Sequence, residues 1–224
     1  MDDFAKSPGS EGSATVSRRK ERNEAQVTDV SITRDDVRGR ARADELSMTD
    51  PQKALKVARA IRHPWYRCQA LSKVAEHWGT QTQRLGLLEE ALAAAQEQQE
   101  INRIVTVSAW PLGVMVGIDP DAVREHLQRL VHLANSEEHT LRRADALHWV
   151  AFAVRNNPSL LAAVVPSLVQ ALFGGHGWRI DRLIRATVEI VERSMPEVVD
   201  RLIEHHADGS KKRAFVASLR KPRG

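Results

Sequence analysis

Proline recurs in this chain at the kind of place that opens helices. It lacks a backbone donor and has a fixed φ, so it is disfavoured inside helices and favoured at their first position. Pro51, Pro120, Pro158 and Pro196 each precede a run of helical apolar spacing, and three of them follow good capping residues, Asp50, Asp119 and Asn157. Pro196 follows Met195, and there Ser194 and Glu197 have capping-box spacing, which places the same role one residue earlier. Pro120, Pro158 and Pro196 stand 38 residues apart, while the 69 residues from Pro51 to Pro120 leave room for a further unit that opens near Thr82 without a proline.

A second helix in each unit is marked by an arginine: Arg67, Arg103, Arg143 and Arg179. Around two of them the text nearly repeats, with Ala70, Leu71, Val74 and Ala75 after Arg67 and Ala146, Leu147, Val150 and Ala151 at the same offsets after Arg143. Apolar residues keep helical spacing, as in Val123, Leu127, Leu130, Val131 and Ala134, or Leu183, Ala186, Ile190 and Val191. Each helix carries one apolar stripe, so a single pair cannot close its own core and must stack on the next. The pattern predicts an all-α protein, an α-solenoid of about four to five stacked antiparallel helix pairs with units of about 37 residues. The units run over residues 51–78, 82–118, 120–156 and 158–193, with a truncated last one over 196–220. Pro111, close to Gly113 and Gly117, is expected to end or kink a helix near Trp110, and Pro166 to free the carbonyl of Ala162.

The recurring Arg-x-x-Ala-Leu-x-x-x-Ala second helix and the proline-opened first helix, over residues 50–193, resemble the HEAT-like and tetratricopeptide-like α-solenoid superfamilies. The resemblance is to a style of repeat rather than to one family. It implies a scaffold or recognition surface, usually for protein and sometimes for nucleic acid.

Composition agrees with helix-on-helix packing. Aromatic residues make up 4% of the chain, and Leu, Val and Ala dominate, which lets helices approach closely. Residues 1–34 lack apolar periodicity and are expected to form a disordered polar tail. Residues 35–220 form the repeat domain, opened by a polar capping helix over residues 35–47, and residues 221–224 form a basic end. The single cysteine, Cys68, excludes an internal disulfide framework and suggests a reducing compartment, so a cytoplasmic location is expected. No leader, membrane anchor or transmembrane segment is expected.

The chain contains no phosphate-binding glycine loop, paired-cysteine zinc motif or nucleophile elbow, and its nine histidines are scattered. No cofactor, metal site or catalytic residue is therefore expected. Gly174, Gly175 and Gly177 suggest a turn within the fourth unit, with His176 and Trp178 able to serve a ligand there. The repeat arginines Arg67, Arg103, Arg143 and Arg179 either bond the carbonyl end of the preceding helix or form a guanidinium ladder for carboxylates or phosphates. Trp65, Tyr66 and Trp178 either pack helix corners or anchor a partner. Lys211, Lys212 and Arg213 begin a basic C-terminal segment that could touch phosphates. The first functional reading is a protein-interaction scaffold or adaptor that uses the curved face of the array. The second is a basic nucleic-acid-binding solenoid, consistent with a formal charge of +4, and the third an enzyme without a linear motif.

Overall fold

The computed structural model describes residues 31–207 and 209–219. The polar tail, up to residue 30, and the basic end over 221–224 lie outside the described residues. Eleven helices fill the described chain: α1 (Arg34–Ser47), α2 (Pro51–Ala60), α3 (Pro64–Ala75), α4 (Gln81–Gln96), α5 (Ile101–Val116), α6 (Pro120–Asn135), α7 (Thr140–Val154), α8 (Pro158–Phe173), α9 (Trp178–Val191), α10 (Pro196–His205) and α11 (Ser210–Leu219). The protein is all-α, and its helices pack in a repeat-like, roughly solenoidal order. After α1, the first helices are α2, α4, α6, α8 and α10, and the second helices are α3, α5, α7, α9 and α11. No described helix is long and apolar enough to cross a membrane.

Helix starts largely follow the caps read from the sequence. Asp50, Asp119 and Asn157 each accept a backbone N–H of their helix with the side chain. The unit without a proline opens at Thr80, which forms a capping box with Gln83. One start differs from expectation. The cap of α10 is Met195 without a side-chain bond, so Ser194 and Glu197 do not form the expected box. Ser194 instead closes the turn after α9, where its N–H donates to the Val191 carbonyl. Histidines cap two second helices: His63 Nδ1 accepts from Trp65 N and His139 Nδ1 from Arg142 N.

Pro111 does not end its helix, since α5 continues through it to Val116. The missing amide leaves the Val107 carbonyl without its helical donor. The thiol of Cys68 on α3 points at that carbonyl, Sγ to O 3.5 Å, so a neighbouring unit supplies the replacement bond. Cys68 is fully buried, and burial pushes its thiol well above the usual range, which keeps it a protonated donor.

One apolar core runs the length of the array, from Ala43 to Phe215. Its burial pattern sets the register of the second helices. Ala70, Val107, Ala146 and Leu183 are equivalent, and so are Leu71, Ser108, Leu147 and Ile184, all of them buried. The second helices pack directly on one another, α3 on α5, α5 on α7 and α7 on α9. The first helices are spanned more by polar side chains: Arg59 pairs with Glu90 between α2 and α4, Glu89 with His126 between α4 and α6, and Asn135 with Ser167 between α6 and α8.

Asp36 ties α1 to the first unit. Its buried carboxylate accepts hydrogen bonds from the Thr33 hydroxyl and backbone and from the backbone N–H groups of Arg62 and His63. Burial by itself would raise its pKa, but these donors outweigh burial and hold it at about 2, below the ordinary 3.8. A folded pKa below the unfolded one contributes stability above pH 3.8 that disappears as pH falls toward 2. Asp36→Asn is expected to lower stability by about 1–3 kcal/mol at neutral pH. Urea melts across pH should show that the variant lacks the wild-type loss between those two values.

Candidate functional site

The register carries over to the exposed side of the second helices. One position holds Lys73, Trp110, Trp149 and Ala186, and the position one turn further along holds Glu76, Gly113, Phe152 and Glu189. Trp110, Trp149 and Phe152 thus meet on adjacent helices, each a little over 40% exposed. They line a groove of about 450 Å³ between α5 and α7, closed by Ser72 of α3, by Glu76 just after it and by Arg155. Gly113 forms its floor: a Cβ there would sit 3.8 Å from Ala153, in ordinary contact, and the missing side chain leaves the space open.

The aromatic rings support each other. Trp149 meets Phe152 edge-on at 5.9 Å, and the Arg155 guanidinium covers the Phe152 face at 3.8 Å while donating to the Phe152 carbonyl. Beneath Trp149, His148 is turned inward, its Nδ1 3.3 Å from the Thr187 hydroxyl. Burial lowers its pKa from 6.5 to about 4, so it is neutral at physiological pH. At the α10 end, Arg185 donates to Nε2 of buried His206, leaving Nδ1 to donate to the Ala207 carbonyl. Among the described residues, no group of three or more His, Cys, Asp and Glu is placed to hold a metal ion.

The repeat arginines fall into two rows. Arg67 and Arg143 occupy one position, where Ile104 and Ile180 stand in α5 and α9. Both donate to the carbonyl six residues earlier, Arg67 to Ile61 at 3.2 Å and Arg143 to Glu137 at 3.3 Å, and Arg67 also pairs with Glu97. They do the bonding job at the end of the preceding helix. Arg103 and Arg179 stand one residue earlier in register, with Tyr66 and Arg142. Arg103 pairs with Glu100 at 3.1 Å. Arg179 and Arg182 flank Trp178, with guanidinium groups 5.4 and 5.9 Å from its ring.

The remaining candidates separate by burial. Trp65 and Tyr66 are half-buried against the core, and Tyr66 meets His63 edge-on. Trp178 is 62% exposed. The glycine cluster is the turn between α8 and α9. Gly177 caps α9 at φ +91°, and a Cβ at Gly175 would come within 2.7 Å of Ile180, so both glycines answer backbone and packing needs. His176 is exposed beside them. Lys211, Lys212 and Arg213 lie on α11, none of them lines the groove, and Lys212 reaches the Glu204 carbonyl at 3.5 Å.

Sequence reasoning did not bring Trp110, Trp149 and Phe152 together. The signal was present in the two tryptophans, but aligning Arg103 with Arg143 set α5 one residue out of step, and each residue turns a helix by about 100°. Fold and site together define an all-α helical-repeat protein with an exposed aromatic groove on its second helices. No family model matches the chain, and comparisons with curated proteins and with solved structures likewise give no match.

Trp65→Ala should lower stability by roughly 2–4 kcal/mol, whereas Trp178→Ala should change it by less than about 0.5 kcal/mol, as measured by urea denaturation. His148 contributes a separate pH dependence. The neutral form favoured by the fold makes stability decline as pH drops from 6.5 toward 4. His148→Leu should remove that decline in melts taken across this window.

Proposed function

We propose that this protein is an interaction scaffold that binds a partner protein on its second-helix face, in the groove between α5 and α7. The observation that carries the reading is the aromatic cluster of Trp110, Trp149 and Phe152, held in the open by well-packed helices on either side. Large exposed aromatics are the residues that most often dominate binding energy, because they bury much area for little side-chain ordering. Gly113 supplies a cleft into which a partner side chain fits.

The stacking of the helices supports the same face. Second helices pack directly on one another, while the first helices α4 and α6 leave a gap of about 410 Å³ beside the Glu89–His126 bridge. Tighter packing among the second helices supports that side as the inner surface, on which repeat arrays receive partners.

Gly113→Leu fills the groove without costing helix propensity, and Trp149→Ala removes one wall. Random peptides displayed on phage and selected on the wild-type protein should lose at least about tenfold in retention on either variant, with thermal midpoints unchanged within about 3 °C. Selected peptides that bind both folded variants as well as the wild type would sink the proposal.

A further inference from the structure

We propose that the partner segment is acidic and extended, with a bulky apolar residue seated in the groove and carboxylates on the row formed by Arg103, Arg142 and Arg179. This rests on the reading of the second-helix face as the binding surface and names the chemistry that would occupy it.

The row has a feature that packing does not call for. Arg103, Arg142 and Arg179 sit in the first turns of α5, α7 and α9. Unpaired backbone N–H groups already make a helix N-terminus positive, so cations there oppose the helix dipole and reduce stability. Three successive second helices repeat this arrangement at one equivalent position. Only α9 has an acidic residue, Asp181, in its first turn. The outcome is an edge where arginine side chains and helix N-termini add to one positive field, which an anionic partner would neutralise.

Pairing within the face compensates that field only in part: Glu100 holds Arg103, and the Glu137 carboxylate accepts the His139 N–H ahead of α7. Glu76, the acid at the groove, is held by Lys73 at 2.7 Å. Asp145 is half-buried, where burial raises its pKa against the attraction of Arg182. Glu189 is an exposed acid further along α9. Among the described residues, Arg142, Arg155 and Arg179 form no ion pair with a carboxylate. Trp110 and Trp149 follow Arg103 and Arg142 by seven residues, which returns to the same helix face, so the apolar seat lies about two turns along from the cationic row.

Spacing favours an extended polypeptide. Packed helices lie about 8–10 Å apart, so the row repeats at about that interval. A chain in polyproline II conformation has three residues per turn and advances about 3.1 Å per residue, which brings every third side chain, on one face, to the next arginine. Nucleobases would need free ring faces on which to stack. Here Arg155 covers the Phe152 face and Trp178 is flanked by Arg179 and Arg182, which leaves two of the four exposed rings with reduced stacking surface.

The test uses the peptides selected on the intact protein. Enriched sequences should carry Asp or Glu at intervals of three around a Leu, Phe or Trp. Resynthesis with Asn and Gln in place of the acids should weaken binding about tenfold, and Arg142→Glu with Arg179→Glu should do the same to the acidic peptide. The two changes should be non-additive, since each removes the same contacts. Binding should also weaken as salt rises from about 50 to about 300 mM. Peptides that need Trp149 but lack acids, or that are indifferent to their replacement, would overturn the charge assignment and leave the groove reading standing. If no enriched peptide depends on Trp149, the groove reading falls as well. A dT oligonucleotide bound more tightly than any peptide, and lost in the Arg142→Glu protein, would reassign the row to nucleic acid.

Discussion

Helices whose buried surface is wider than one partner can cover, as in α3 where Cys68, Ala70, Leu71, Ser72, Val74 and Ala75 are all buried, must be packed from more than one side, and this constraint organises the molecule. Each pair covers one side of its apolar surface internally and needs the next pair for the other. The continuous core from Ala43 to Phe215 is the result. At the first end of the described residues α1 packs on α2 and α3, with Ala43 and Leu46 in the core, and is tied to the first unit further through the Asp36 carboxylate. What remains outside is decided by register, because a position buried in one second helix is buried in the next.

Much of this architecture was legible before any coordinates. Prolines at first helical positions and the caps before them report local chemistry, so Asp50, Asp119 and Asn157 behave as their side chains dictate. The turn after α8 was readable for the same reason, since Gly177 supplies a backbone conformation other residues resist. Ser194 and Glu197 show where such reading stops. Capping-box spacing permits two bonds, but the chain leaving α9 turns one residue later and neither bond forms.

The site was less legible because exposed residues carry no periodic constraint. Buried positions fix register within a residue: Ala70, Val107, Ala146 and Leu183 agree across all four helices. Arginines do not, since one can stand at either of two neighbouring positions and still reach solvent. Aligning them by identity joined Arg67 and Arg143, which brace a preceding carbonyl, with Arg103 and Arg179, which face outward. Once the buried residues set the alignment, Trp110 and Trp149 fall into one row. Pro111 concealed this further, because a proline after Trp110 read as an end or a kink, whereas the helix continues for another turn and more.

The bond that replaces the missing amide of Pro111 also bears on how the array comes apart. Repeat proteins can fray unit by unit, since contacts reach only to the adjacent repeat. Here the Val107 carbonyl, inside α5, depends on a thiol that belongs to α3. Melting α3 alone would remove that donor and bare the face of α5 on which α3 packs, which couples the opening of the first two pairs.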